Sequence, residues 1–243
     1  MTIDKAAILA QLQREILPLQ GLRGIQKNVL LDTLLGPIKH AFPNNSFPLA
    51  AVHEFISHTA EDAAATSGFV GGLMSALMKK KGISIWISSS RSIFPPALRS
   101  LGIAADRIIF IDLKKEKEIL WAMEEALKCP GIASVIGELP ELGFTASRRL
   151  QLAVESSQVT GFILRRNPRN INNTACVTRW NITSIQSDLV DEMPGVGFPR
   201  WKVDLLKVRN GKPGSWNVEL VSGKFRHSSQ SKEIRIIPQK KAV

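Results

Sequence analysis

Residues 107–166 read RIIFIDLKKEKEILWAMEEALKCPGIASVIGELPELGFTASRRLQLAVESSQVTGFILRR. Three short apolar runs punctuate this stretch: RIIFIDL (107–113), IASVIGEL (132–139) and TGFILRR (160–166). Between them lie two segments with helical spacing. KEKEILWAMEEALK (115–128) turns Ile119, Leu120, Met123 and Leu127 to one side, and SRRLQLAVESS (147–157) forms the second. A strand exposed on one face alternates apolar and polar residues; these runs do not alternate. Continuous apolar strands joined by helices require cover on both faces, which means a parallel α/β sheet.

The same pattern extends upstream. LAAVHEFIS (49–57) reads as a strand, VGGLMSALMKK (70–80) as a helix, ISIWISS (83–89) as a strand and PPALRSLG (95–102) as a helix. In the 70–80 helix, Gly71-Gly72 is expected to permit close packing on the sheet. Downstream the pattern changes. NPRNINNTA (167–175) is a polar loop, and ACVTRWNITSI (175–185) alternates like a strand. WKVDLLKVRNGKPGSWNVELVSGKF (201–225) reads as a hairpin turning at RNGKPG (209–214), so antiparallel strands extend the sheet at its C-terminal edge.

Ahead of the sheet, residues 4–20 space Ile8, Leu12, Ile16 and Leu19 as one face of a helix, Val29–Leu35 suggests a short helical or turn segment, and PIKHAFPNNSFP (37–48) reads as a linker. The expected organisation is therefore an N-terminal helical arm and linker (1–47), an α/β core (48–225) and a basic flexible tail (226–243).

With 243 residues and 44% hydrophobic content, the chain can bury a full core without staples. Its two cysteines, Cys129 and Cys176, have no zinc or disulfide spacing, which points to a reducing cytoplasm. No run reaches about 18 continuous apolar residues, so no membrane span is expected. The net charge of +11 is placed unevenly. Residues 1–145 hold 15 Lys/Arg against 14 Asp/Glu, whereas residues 146–243 hold 17 against 7. An excess confined to the last 98 residues suggests an anionic partner, DNA above all, although a solvated basic face is the plain alternative.

Five parallel strands with helices, then antiparallel strands and a hairpin carrying Arg-Asn-Gly, resemble the core of RecA-family ATPases. Within that group the chain most resembles the ImuA family. The resemblance rests on ILWAMEEALKCPGIASVIGEL (119–139), SRRLQLAVESSQVTGFILRR (147–166), FPLAAVHEF (47–55) and RWKVDLLKVRNGKPGSW (200–216), and covers roughly residues 30–225. It implies a RecA-like core and an accessory role in SOS-type, error-prone translesion DNA synthesis. The partners it implies are an ImuB-like polymerase-family protein and an error-prone DNA polymerase, with RecA, DNA and further copies of the chain as additional candidates. On that reading Ile8, Leu12 and Ile16 would contact a partner.

The resemblance also sets a test, because a RecA-type ATPase needs a phosphate loop between its first strand and first helix. There, glycine-rich backbone cradles the phosphates, a Lys neutralises them and a following hydroxyl holds magnesium. The corresponding stretch is SHTAEDAAATSGFV (57–70). If Ser67-Gly68 ends the motif, Phe69 replaces the Lys and Val70 the hydroxyl, and neither can serve. Glu61 and Asp62 would repel a triphosphate. VIGEL places Gly137 where the metal-side carboxylate is needed, with Glu138 next to it. Glu54 matches a glutamate of RecA proteins but, without the Lys, argues for no chemistry. The expectation is a degenerate phosphate loop, no cofactor and no ATP hydrolysis. The alternatives are an ATPase with a non-standard nucleotide site, or a DNA- or RecA-binding regulator of recombination or cell division.

Candidate DNA contacts are Arg165, Arg166, Arg169 and Asn172 around the 167–175 loop, Arg209 and Lys212 at the hairpin turn, and Lys240 and Lys241 in the tail. Phe144 could stack on a base, but burial or a protein partner is its commoner use. His53 and His58 lack any nucleophile-elbow context and read as packed or solvated.

Overall fold

A computed structural model describes residues 28–79, 82–90, 93–187 and 197–228. The 4–20 segment with Ile8, Leu12 and Ile16 lies outside these residues, as do Lys240 and Lys241 in the tail.

The described residues build one nine-stranded sheet. Its strands are β1 (Val52–Ser57), β2 (Ser84–Ser88), β3 (Ile108–Asp112), β4 (Ser134–Glu138), β5 (Thr160–Arg166), β6 (Thr178–Ile185), β7 (Arg200–Val208), β8 (Gly214–Val221) and β9 (Lys224–Ser228). They run in the order β3-β2-β4-β5-β1-β6-β7-β8-β9. The first six are mutually parallel, and β7, β8 and β9 continue as antiparallel hairpins. The α/β reading, with a mostly parallel sheet and antiparallel strands at the C-terminal edge, is borne out.

Among the described residues five α-helices accompany the strands: α1 (Val29–Leu35), α2 (Ala60–Met78), α3 (Pro95–Ser100), α4 (Glu116–Leu127) and α5 (Phe144–Ser157). Helix α4 buries Ile119, Met123, Ala126 and Leu127, and α5 buries Leu150, Ala153 and Val154. Both pack on one face of the sheet, against Val52, Val135 and Ile163. On the other face α1, α2 and α3 share a core rich in rings, including Phe55, Phe69, Trp180, Trp201 and Phe225. The ring of Trp180 stacks on Phe55 at 5.9 Å, and Phe69 stacks on Phe225 at 5.0 Å.

Helix α2 is enclosed on several sides, because the antiparallel strands curl over it. A Cβ on Gly72 would lie 2.5 Å from the Phe225 ring, and one on Gly68 would lie 2.9 Å from Trp201. Only glycine admits rings this close to the helix backbone. Gly72 thus allows the close packing on the sheet that its sequence suggested, whereas Gly71 admits Leu101 at the end of α3 instead. Buried side chains are spread around the helix, so its apolar pattern extends beyond a single stripe.

Several boundaries differ from the sequence reading. The supposed linker is part of the core. Residues 36–45 form two short 3-10 turns, and Ile38, Phe42 and Phe47 are buried. The Asp32 carboxylate fixes this path, accepting from Ser46 Oγ at 2.8 Å and from the Phe47 amide at 3.0 Å. Polarity and three prolines suggested a free connection; the buried rings overrule them. At the other end, residues 224–228 pair with β8 as a ninth strand, so the tail does not begin at 226. Helix α2 begins at Ala60, ten residues earlier than the apolar run suggested.

Candidate interaction surface at the carboxyl ends of the parallel strands

The carboxyl ends of β1, β4 and β5 are where a doubly wound sheet binds ligands, because loops there leave in opposite directions. In this chain β1 ends at Ser57 and α2 starts at Ala60, so only His58 and Thr59 connect them. The Thr59 hydroxyl caps the helix, accepting from the Asp62 amide at 3.1 Å. Glu61 and Asp62 occupy the first turn, and Asp62 Oδ1 accepts from the Ser184 amide at 3.2 Å. The expected loop across 57–70 is therefore a helix. Phe69 and Val70 do not replace loop residues; both are buried in the helix interior, where Phe69 packs among rings.

Glu138 ends β4 on the same face as α2. Its Oε1 accepts from the Trp86 indole at 2.8 Å, and its Oε2 lies 3.1 Å from an Arg166 guanidinium nitrogen. A guanidinium thus already neutralises this carboxylate. Beside it, a cavity of about 860 Å³ runs along the first half of α2. Its wall includes Ala60, Ala64, Phe94, Leu101, Trp201 and Arg166.

The opposite face carries an ionic cluster. Glu54, in the middle of β1, and Arg165, near the end of β5, are both 0% exposed. Arg165 Nη1 donates to Glu54 Oε1 at 2.8 Å. Arg179, on β6, donates through Nε to Glu54 Oε2 at 2.8 Å, and the Thr174 hydroxyl donates to the same oxygen at 2.9 Å. Two cations and a hydroxyl thus satisfy one buried carboxylate, as burial of charge demands. The remaining donors of the two arginines reach the 167–175 loop and the segment after β4, where Arg165 Nε donates to the Pro140 carbonyl at 3.2 Å. Arg165 Nη2 donates to the Asn170 carbonyl at 2.8 Å and to Glu141 at 3.1 Å, and Arg179 Nη2 donates to the Asn172 carbonyl at 2.6 Å. Glu141 also accepts from the Arg169 amide at 2.7 Å.

This cluster polarises its neighbours. Burial, with the Glu54 charge nearby, pushes the Cys176 thiol up to about 12, so it stays protonated and unreactive. Burial and the adjacent Arg179 charge lower Lys207 below the usual ammonium range; Lys207 donates to the Thr174 carbonyl at 2.8 Å. On the α2 face, burial lowers the His53 imidazole to about 3. Its ring nitrogens bond to Thr178 Oγ1 and the Pro48 carbonyl, so the ring is packed and neutral.

The sequence-nominated DNA contacts separate into two groups. Arg165 is wholly internal, with its donors committed to Glu54, Glu141 and loop carbonyls. Arg209 is half-buried and donates to the Ala175 carbonyl at 3.0 Å. Arg169, Asn172 and Lys212 are exposed, and Arg166 is half-buried at the rim of the cavity. Sequence reasoning missed Arg179, Thr174 and Glu141. A usable signal was present: a Glu inside AVHEFIS and an Arg inside GFILRR can be buried only if paired. Phe144, the first residue of α5, and Ile171, in the 167–175 loop, are 60% and 51% exposed.

No protein-family model matches the chain. Protein ImuA of Caulobacter vibrioides, in strains NA1000 and CB 15, is 35% identical over 191 residues, covering 74% of this chain and 78% of that protein. The chain belongs to the ImuA family. A shorter likeness, 27% identity over 103 residues, links this ImuA-family chain to the cell division inhibitor SulA of Photorhabdus laumondii, covering 42% of the chain and 58% of that protein. No helix among the described residues is long and apolar enough to cross a membrane.

Proposed function

We propose that this ImuA-family chain is a non-catalytic, RecA-like accessory protein of SOS-type mutagenic DNA synthesis. It acts beside an ImuB-like polymerase-family protein and an error-prone polymerase, and contacts DNA through its exposed loop and hairpin turn. Family membership supports the system; the β1–α2 junction supports the non-catalytic role. A RecA-type ATPase must place a phosphate-wrapping loop and a lysine at that junction. Here the space holds His58 and Thr59, followed by Glu61 and Asp62 in the first helical turn. These carboxylates stand where a phosphate-binding helix offers bare amides. The Arg166–Glu138 pair supports the same reading, because the carboxylate best placed to hold magnesium already has a cation.

Two measurements test the proposal. Calorimetry with ATP and magnesium is expected to show no binding in the micromolar range; binding together with turnover that Glu138→Gln abolishes would refute the non-catalytic role. Pull-down with an ImuB protein is expected to recover a complex, and failure both with and without DNA would refute the accessory role.

The partial likeness to a cell division inhibitor favours a second reading, a regulator of recombination or cell division without a polymerase partner, which on this reading would bind DNA or RecA. Removal of residues 229–243, which leaves β9 intact, separates the two. The regulator should lose most of its DNA affinity, and the accessory protein should keep its ImuB complex.

A further inference from the structure

We propose that Glu54 is a positioning residue, holding residues 169–174 as a pre-set recognition loop whose side chains are kept for a partner.

The loop is held inward at alternate points along its length. The Arg169 amide goes to Glu141, the Asn170 carbonyl to Arg165, the Asn172 carbonyl to Arg179, and the Thr174 hydroxyl to Glu54. Further along, the Thr174 carbonyl is held by Lys207 and the Ala175 amide by Ser147 Oγ. The outward consequence is systematic: Arg169, Asn170, Ile171, Asn172 and Asn173 are all exposed. A loop that served only to join β5 to β6 would need no such anchoring, and its Ile171 would be expected to turn inward.

Glu54 is the pivot because, among the described residues, it alone bonds to both clamping arginines. Arg165 meets one of its oxygens and Arg179 the other, at 2.8 Å each. Each guanidinium is planar, so fixing one edge on the carboxylate aims the other edge at a loop carbonyl. Removing the Glu54 charge frees both aims at once, whereas removing Arg179 frees only the Asn172 side. A loop set in advance pays less ordering entropy when it binds.

The choice of probe rests on the nucleic-acid contact proposed above. Guanidinium and amide side chains beside an exposed Ile171 and Phe144 suit the phosphates and bases of a single strand. The positioning role itself is read without DNA.

Hydrogen exchange on the full chain, followed by mass spectrometry, compares wild type with Glu54→Gln, Arg179→Leu and Arg169→Ala. Glu54→Gln should speed exchange of the Arg169 and Ala175 amides, the bonded amides at the two ends of the loop, by about tenfold while β4 amides stay protected. Arg179→Leu should do so for Ala175 alone. It leaves Glu54 paired with Arg165 and Thr174, so it decides the matter if Glu54→Gln fails to fold. Arg169→Ala should leave exchange unchanged. Affinity for a single-stranded oligonucleotide should fall several-fold in all three. Unchanged loop exchange in the folded clamp variants would overturn the positioning role. Faster exchange with undiminished affinity in every variant would leave that role standing and overturn the nucleic-acid contact.

Discussion

The two faces of the sheet solve the problem of a buried polar group differently. On the α2 face, His53 is made harmless by neutrality: an uncharged ring, packed at 4.4 Å from Phe47 and bonded to a hydroxyl and a carbonyl. One residue along the same strand, on the α5 face, Glu54 is made tolerable by two guanidiniums and a hydroxyl. The first solution only fills space. The second projects outward, because each arginine has a second edge to spend. The difference teaches that a buried charge, costly as it is, can dictate the course of a distant loop where a neutral group cannot.

The largest effect should come from breaking the charged side. Glu54→Ala leaves two cations facing each other in the interior and should cost about 3–5 kcal/mol, read from the denaturant midpoint. A loss below 1 kcal/mol would mean that the cluster is wet and that the contrast between the faces is false. Acid tests the neutral side. His53 has a folded value of about 3 against 6.5 when free. Below pH 6.5 the unfolded chain takes up a proton that the folded chain refuses, so stability present above that pH falls as the pH drops toward 3. The slope approaches roughly 1.4 kcal/mol per pH unit from this group, and a His53→Gln chain should show a flatter melting-temperature profile.

Smaller effects sharpen the comparison. Glu138→Gln, at the half-open end of the α2 face, keeps the indole bond but weakens the Arg166 pair. Its expected cost is about 1 kcal/mol, because Arg166 is partly solvated. Arg169→Ala touches nothing internal through its side chain and should change stability by under ~0.5 kcal/mol. Its effect should instead appear in titrations across salt concentrations, where the slope for single-stranded DNA should fall by about 0.7 if one phosphate contact is lost.

Much of the architecture was legible because apolar periodicity is local. The runs at 107–113, 132–139 and 160–166 are strands β3, β4 and β5, with the helices between them as expected. The start of α2 was not legible. AEDAAATSG (60–68) lacks large apolar residues, and it is helical because Thr59 caps it and its small side chains let Trp201 approach. Strand β9 was missed because five residues with a Lys, an Arg and a His reveal a strand only through the partner they pair with. The ionic cluster is long-range: Glu54 and Arg179 are 125 residues apart in sequence, and only the register of β1 against β6 brings them together.

The glycine notches on α2 carry one more consequence. Because Trp201 and Phe225 are seated in them, the late hairpins are not an appendage to a finished α/β half. A chain cut after β6 would bare the ring-lined flank of its central helix to water, so a fragment has no stable stopping point. The last strands complete the core that the first ones begin, which makes the fold an indivisible unit.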